Sequence, residues 1–214
     1  RGLDVTVGIP RLGSMNDARL GIADTGVEVT PDPPPGAEPL TARVLEARVA
    51  GGVRVLFVHC PPYFHREGVY GTAHGDYPDN AQRFAFFCRA AILAAEKIAP
   101  APDVVHAHDW QAGLVPYLLR APDQFGGVPG LSRPFLLQSI HNLSYQGVFP
   151  KEFVPRIGIP WPDFVYTRLE FYDQLNFLKG GIVFADAVAT VSPTYAGEIQ
   201  TPEHGGGLDG GLRE

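Results

Sequence analysis

The stretch "DVVHAHDWQAG" at 103–113 places reactive side chains directly behind a short apolar run. His106 and His108 alternate, so on a β-strand both would face the same side, as two metal ligands must. Asp109 and Trp110 follow at once, and a carboxylate beside an indole ring also suits a ligand with polar edges and apolar faces. The spacing leaves open a metal site, acid–base chemistry, ligand binding and simple packing.

A metal site at this point would need more histidines or carboxylates at later strand ends. Downstream only His141 and His204 occur, and no D-x-H or H-x-x-x-H pattern accompanies them. We therefore expect no metal, and no other cofactor. His106 is then predicted to be a hydrogen-bonded strand residue near the core, while His108 and Asp109 reach the rim of the sheet.

Two other kinds of site find little support in the sequence. Ser139 and Ser192 stand near predicted strand ends, but neither lies in a G-x-S-x-G elbow. The glycine pairs from residue 180 onward match neither the G-x-G-x-x-G nor the Walker pattern. The segment "GGGLDGG" at 205–211 is predicted to be a flexible loop that closes over a ligand.

Helix and strand patterns alternate from residue 80 onward. The first helix is predicted over 80–99, where apolar residues recur at helical spacing and Asp79 or Asn80 can act as the cap. The order α-β-α-β-α-α-β-α indicates a parallel sheet covered by helices on both faces. The later elements are predicted as a strand from 103, a helix over 111–121, a strand at 135–141, a short helix within 151–166, a helix over 168–185, a strand at 186–192 and a helix from Pro193 capped by Ser192.

The part before residue 80 is predicted to contain short strands at 5–9, 26–30, 41–50 and 53–60, the last two joined by the hairpin-like "AGGV". The segment 61–79 lacks periodicity and is predicted to be a long functional loop. "RG" at the start resembles the end of a helix, and we expect the chain to be a fragment.

Three polar and aromatic segments, "HDW", "HNLSYQG" and "SPTY", each follow a predicted strand. Ligands of parallel sheets bind beyond the carboxyl ends of the strands, so these segments are expected to meet at one rim. Their planar polar groups and flat rings suit a sugar, which presents both hydroxyl groups and C–H faces. The residues concerned are Asp109, His141, Asn142, Gln146, Trp110, Tyr145 and, from the long loop, Tyr77.

Composition excludes several classes of protein. The chain has 214 residues, a length compatible with one domain, and a net charge of −6 with no cluster of Lys or Arg, so nucleic-acid binding is not expected. Two cysteines favour a reducing, cytoplasmic setting. No apolar run is long enough to span a membrane.

Five ordered motifs closely resemble the bacterial glycogen synthases and the plant starch synthases. They are "YPDNAQRFAFFCRAA", "PDVVHAHDWQAGLVPYLL", "SIHNLSYQGVFP", "FLKGGIVFADAVATVSPTYAGEIQTPE" and "GLDGGL". The resemblance implies a GT-B-type glycosyltransferase with two Rossmann-like halves, of which residues 1–214 would be the amino-terminal, acceptor-side domain. It also implies glucose transfer from ADP-glucose to the non-reducing end of an α-1,4-glucan, with retention of configuration.

The resemblance also implies roles for individual residues. His141 would lie against the transferred glucose, and Asp109 would hydrogen-bond sugar hydroxyls, so both are expected to be catalytic. The substrate-binding residues implied are Tyr77, Trp110, Asn142, Tyr145, Gln146, Gly207, Leu208, Asp209 and Gly210.

Departures from the family pattern keep alternatives open. The family's Lys-Thr-Gly-Gly loop and its nucleotide-binding carboxyl-terminal half are not found in this sequence, and His204 stands where relatives commonly have an aromatic residue. A fragment of this kind is expected to be inactive alone. The alternatives are a non-catalytic glucan-binding module and a metallohydrolase built on "HAH".

Overall fold

A computed structural model describes residues 2–99, 101–121, 131 and 133–213. The chain divides into two compact units, Arg1–Pro100 and Ala101–Glu214, each with its own sheet. The single domain over 1–214 stays a prediction. The predicted helix end at Arg1 lies outside the described residues.

A four-stranded mixed sheet forms the centre of the first unit. Its strand order is β1-β4-β3-β2, in which β1 and β4 are parallel and the other neighbours antiparallel. The predicted hairpin between β3 and β4 is confirmed, with Gly51 and Gly52 in the left-handed region at its turn. The elements are β1 (Thr6–Pro10), α1 (Asp17–Leu20), β2 (Ala23–Val29), β3 (Ala42–Arg48), β4 (Arg54–His59), α2 (Pro61–Phe64), β5 (Gly71–Thr72), β6 (Gly75–Asp76) and α3 (Asn80–Ile98).

Helix α3 begins as predicted, but neither expected side chain caps it. Asp79 is the residue before the helix, yet its carboxylate accepts two hydrogen bonds from Arg66, at 2.8 and 2.7 Å. The amide of Asn80 donates to the carbonyl of Tyr70 and accepts from Arg83. The capping prediction is wrong because both side chains instead hold the loop 61–79, which contains α2 and the small hairpin β5–β6.

A parallel three-stranded sheet with the order β12-β8-β7 forms the centre of the second unit, as the alternating pattern predicted. A second, antiparallel sheet has the order β10-β11-β9. The elements are β7 (Val104–His108), α4 (Leu114–Arg120), β8 (Phe135–Ile140), β9 (Val148–Pro150), α5 (Phe153–Arg156), β10 (Glu170–Phe171), β11 (Gln174–Asn176), α6 (Phe177–Phe184), β12 (Ala187–Thr190), α7 (Pro193–Glu198) and α8 (Asp209–Leu212).

The helix predicted over 168–185 is wrong in its first half, which forms the hairpin β10–β11. Tyr172 and Asp173 both have left-handed φ values, 50° and 64°, and make a tight turn that no helix contains. The side chain of Asn176 then accepts a hydrogen bond from the backbone N–H of Lys179 and starts α6. The spacing of apolar residues in this segment did not reveal the turn. A helix and a hairpin can each bury one apolar face, so the pattern did not distinguish them.

Close backbone contact between α6 and the segment after β7 fixes the edge of the parallel sheet. A Cβ atom on Gly113 would lie 2.5 Å from the carbonyl oxygen of Phe177, so only glycine fits there. Ser192 and Pro193 start α7 as predicted, with the serine hydroxyl accepting from the N–H of Tyr195. Within the described residues, no helix has the length and apolar character needed to cross a bilayer.

Candidate functional site

The carboxyl ends of β7, β8 and β12 bring the three predicted segments to one edge of the second unit's sheet. The N–H of Asp109, directly after β7, donates to the carbonyl of Ser139 at 2.9 Å. The hydroxyl of Thr190, the last residue of β12, donates to the carbonyl of Ile140 at 2.7 Å. We call this edge, with the residues that directly follow the three strands, the rim.

Asp109 has a backbone conformation that favours glycine. Its φ of 55° and ψ of −168° fall in a region that costs an L-residue about 1–3 kcal/mol. Hydrogen bonds hold it there: one carboxylate oxygen accepts from the N–H of His141 at 2.7 Å, and the carbonyl accepts from the buried side-chain amide of Gln138 at 3.2 Å. The other carboxylate oxygen accepts no hydrogen bond from a described residue. The half-buried carboxylate thus keeps one oxygen without a described protein donor at the rim.

Three histidine rings form a row beside this carboxylate. The rings of His106 and His108 have centroids 4.0 Å apart, and Nδ1 of His108 lies 3.0 Å from Nε2 of His141. Partial burial lowers the pKa of His106 and His108, and the neighbouring imidazoles lower the pKa of His108 further. These two rings are therefore mainly neutral at pH 7, when each offers one donor and one acceptor.

His106 is hydrogen-bonded on the strand as predicted, but the prediction that it lies near the core is wrong. Its side chain is exposed, because the face of β7 that carries both histidines is not covered, whereas Ala107 on the opposite face is 2% exposed. Nε2 of His106 lies 2.7 Å from the hydroxyl of Ser139. Ser139 is only 9% exposed, so this pair braces β7 against β8 and is poorly placed for nucleophilic attack.

Among the residues that the structure describes, no group of three or more His, Cys, Asp or Glu side chains has the arrangement of a metal site. The rings of His106, His108 and His141 follow one another in a row, with centroids 4.0 and 5.3 Å apart. The geometry of the described residues therefore does not support the hypothesis of a metallohydrolase built on "HAH".

The loop after β8 is tied to its surroundings by side chains. The N–H of Leu143 donates to the hydroxyl of Tyr195 at 2.9 Å. The side-chain amide of Gln146 donates to the carbonyl of Gly206 at 3.0 Å and accepts from Asn176 at 2.7 Å. Gln146, predicted to bind substrate, thus has its amide oxygen and nitrogen engaged within the protein and links the rim to the loop 205–207.

Two predicted substrate-binding residues are buried instead. Trp110 is 8% exposed, packs edge-on against Phe149 and Phe177, and would clash with any Cβ atom on Gly147. Leu208 is 4% exposed. Because both side chains are largely enclosed by the protein, we propose that they support the rim, and their predicted contact with substrate stays a prediction.

The other predicted residues lie at or near the surface. Asn142 is exposed at the rim and accepts a hydrogen bond from the N–H of Ser144, while Tyr145 is 67% exposed. Gly207 has a left-handed φ of 81°, Asp209 forms an ion pair with Arg213, and Gly210 lies in α8. Gly207 belongs to the loop 205–207 that Gln146 holds, and Asp209 and Gly210 follow that loop.

Tyr77 belongs to the first unit. Its ring lies between two guanidinium groups, those of Arg66 at 4.8 Å and Arg83 at 4.9 Å from the ring centroid. The half-buried ring is thus held by cation–π contacts within the loop 61–79.

Sequence reasoning missed three residues that hold the rim: Gln138, Asn176 and Tyr195. Gln138 and Asn176 are fully buried polar side chains, and a buried amide with specific partners is a positioning group. Of the three, only Tyr195 had a sequence signal for a role at the rim, because it lies just after the end of a predicted strand. Their partners at the rim, Asp109, Gln146 and Leu143, lie 29, 30 and 52 residues away along the chain, so spacing could not reveal them.

Replacing Tyr195 with phenylalanine is expected to loosen the loop after β8. The N–H of Leu143, a residue only 2% exposed, would lose its acceptor, which costs about 1 kcal/mol or more. Hydrogen exchange of that amide in the full-length protein should become about tenfold faster. Tyr166→Phe is the control, since that hydroxyl bonds to no described residue; equal exchange in all three proteins would contradict the assignment.

Comparison with known proteins finds relatives of one family. Residues 1–214 match the family model of the starch synthase catalytic domain. Glycogen synthase from Anaeromyxobacter sp. (strain Fw109-5) is 46% identical over 216 residues, covering 100% of this chain and 43% of that protein. Glycogen synthase from Myxococcus xanthus (strain DK1622) is 45% identical over 214 residues, covering 99% of this chain and 44% of that protein.

A solved structure, the catalytic domain of starch synthase IV from Arabidopsis thaliana bound to ADP and acarbose, superimposes with a TM-score of 0.82 at 28% identity. The match covers 99% of this chain and 42% of that one, and it confirms the predicted GT-B-type α/β fold class. This chain thus spans less than half the length of the relatives described above. Because the family match extends over the whole of residues 1–214, the chain belongs to the starch synthase catalytic domain family.

Proposed function

We propose that this chain is the amino-terminal, acceptor-side part of a glycogen or starch synthase. The full-length enzyme would transfer glucose from ADP-glucose to the non-reducing end of an α-1,4-glucan, with retention of configuration, in the cytoplasm and without a metal or other cofactor. The observation that carries the proposal is the rim, where a strained Asp109 directs a free carboxylate oxygen beside the hydrogen-bonded pair of His108 and His141. The ADP bound to the related starch synthase IV supports an adenine nucleotide as the donor.

The rim has the groups that sugar transfer needs on the acceptor side. As the bond to the diphosphate breaks, positive charge develops on the sugar ring, and a fixed carboxylate and neutral imidazoles stabilise that charge without reorganisation. The open oxygen of Asp109 can accept from a sugar hydroxyl. Asn142 and His141 are exposed and supply further hydrogen-bonding groups next to it.

The leaving diphosphate, by contrast, needs cations that the rim does not supply. Asp109 is acidic, and the lowered pKa values of His106 and His108 keep these rings mainly uncharged at pH 7. Positive side chains from the rest of the full-length protein would bind the diphosphate. The donor would then lie between those side chains and the rim. The chain alone is therefore expected to be inactive.

The test is an assay of the full-length protein with radiolabelled ADP-glucose and maltoheptaose. Lengthened α-1,4-linked products should form, with slower transfer from UDP-glucose, whereas residues 1–214 alone should yield none. A full-length protein that binds maltoheptaose but transfers no glucose would instead be a glucan-binding module. Appreciable transfer by residues 1–214 alone would contradict the division of the site.

A further inference from the structure

We propose that Tyr172, at the tip of the hairpin β10–β11, is a sugar-stacking residue that binds the glucan chain beyond the rim. The inference rests on the proposed function, since it extends the acceptor site to glucose units that follow the reacting one. None of the catalytic or substrate-binding residues predicted from the sequence lies on this hairpin.

The backbone at Tyr172 is the first observation. Tyr172 and Asp173 are the two central residues of the turn, and both have left-handed φ values, of 50° and 64°. Turns of this type strongly favour Asn-Gly, Asp-Gly or Gly-Gly, because glycine and asparagine adopt left-handed φ at little cost. A tyrosine at this position is unfavourable for the turn, and strain of this kind is commonly retained where a side chain has a function.

The surroundings hold the turn in this conformation. The N–H of Asp173 donates to the carboxylate of Glu170 at 2.7 Å, and the carboxylate of Asp173 pairs with Lys151 at 2.6 Å. These contacts fix the hairpin tip without using the ring of Tyr172. The ring touches Phe171 edge-on, at 4.7 Å between centroids and 81° between planes, yet the residue is 76% exposed.

The position of the ring is the second observation. A Cβ atom on Gly207 would lie 3.1 Å from the ring of Tyr172, so the ring borders the loop 205–207 directly. That loop is tied to Gln146, which follows Tyr145 in the rim loop. Tyr172 thus borders a loop that is hydrogen-bonded to Gln146, the residue after the exposed Tyr145.

The groups exposed along this surface suit an oligosaccharide. Aromatic rings pack against the C–H faces of glucose, and backbone carbonyls and amides between them can bond its hydroxyls. A glucan whose end reacts at Asp109 must leave along some surface, and we place its path past Tyr145 and Tyr172, whose rings are both exposed. The ligand class is thus an α-glucan of several units.

The experiment uses Tyr172→Asn in the full-length protein, because asparagine suits the left-handed turn while it removes the ring. Retardation of the protein in a native gel containing glycogen measures glucan binding without turnover. We expect the apparent Kd to rise about five- to tenfold, the scale of one lost aromatic contact, while Tm stays equal or rises. In the transfer assay, the KM for long glucans should rise and that for ADP-glucose should not.

Tyr166→Ala is the matched control, since Tyr166 is equally exposed at 78% but does not border the loop 205–207; it should change neither retardation nor Tm. Equal retardation of the wild type and Tyr172→Asn would overturn the inference. A lower Tm for Tyr172→Asn would overturn it too, because the ring would then pack against the rest of the protein. A wild type that is retarded but transfers no glucose contradicts the proposed function and not this inference.

Discussion

Asp109→Ala in the full-length protein is expected to lower kcat for glucosyl transfer about a hundredfold or more, the scale of losing one transition-state contact. The change removes both the oxygen that accepts from the N–H of His141 and the open oxygen beside it. His141→Ala should cause a loss of the same order, and we extend this expectation to His108→Ala because the two rings are hydrogen-bonded. The measurement is steady-state kinetics with ADP-glucose and maltoheptaose.

Two further substitutions at the same position separate geometry from charge. Asp109→Asn keeps an oxygen that can accept from the N–H of His141, so retained activity would assign Asp109 to positioning the loop. Asp109→Gly relieves the backbone strain while it removes the carboxylate and its hydrogen bond to His141, so it should lose activity but lower Tm less than Asp109→Ala does. Near-normal rates for both Asp109→Ala and His141→Ala would show that the rim is not the site of reaction.

Arg83→Met is expected to have the largest effect on stability, with the local free energy of opening of the loop 61–79 lowered by about 3 kcal/mol. Arg83 is fully buried and donates to the carbonyls of Tyr63 and Val69 and to the side chain of Asn80. A methionine fills a similar space but leaves all three oxygens without that donor. Burial lowers the pKa of the guanidinium, yet it remains charged, and the rings of Tyr77, Phe64 and Phe84 lie against it.

Hydrogen exchange across 61–79 in the full-length protein tests this expectation. Amides of the loop should exchange on the order of a hundredfold faster in Arg83→Met. Arg83→Lys keeps the positive charge, but a single ammonium nitrogen cannot reach all three acceptors as the planar guanidinium does. This variant should therefore also accelerate amide exchange of the loop. Arg48→Met, at an exposed arginine on β3, is the control; equal acceleration by this variant would mean that the effect is not specific to Arg83.

The parallel sheet of the second unit was predictable because its signals are local. Apolar runs at 103–108 and 135–140, each followed by polar residues, indicate strands whose carboxyl ends meet. The cap at Ser192 and the hairpin between β3 and β4 were also predicted, since each depends on a few adjacent residues. Recognition of the family rested on the same ordered motifs and is confirmed by the family match over residues 1–214.

The spacing of residues along the sequence could not predict the hairpin at Tyr172 or the burial of Trp110. Left-handed φ values at Tyr172 and Asp173 contradict their own preferences, and surrounding contacts impose them. Trp110 looked like a ligand-binding ring because it follows a strand, yet the chain turns inward there and packs it on Phe149. In both cases distant residues outweighed local preference.

The sequence by itself determined the alternation of helices and strands, the family, and which segments would meet at the rim. Period and strand-end position are properties of neighbouring residues. Only the tertiary structure decided which side chains there face a ligand and which serve as supports. Gln138, Gln146 and Tyr195 bond to partners 29 to 60 residues away, and such long-range hydrogen bonds arise only when the chain is folded. The strained conformation of Asp109 exists for the same reason, since the bonds that hold it come from β8 and the loop after it.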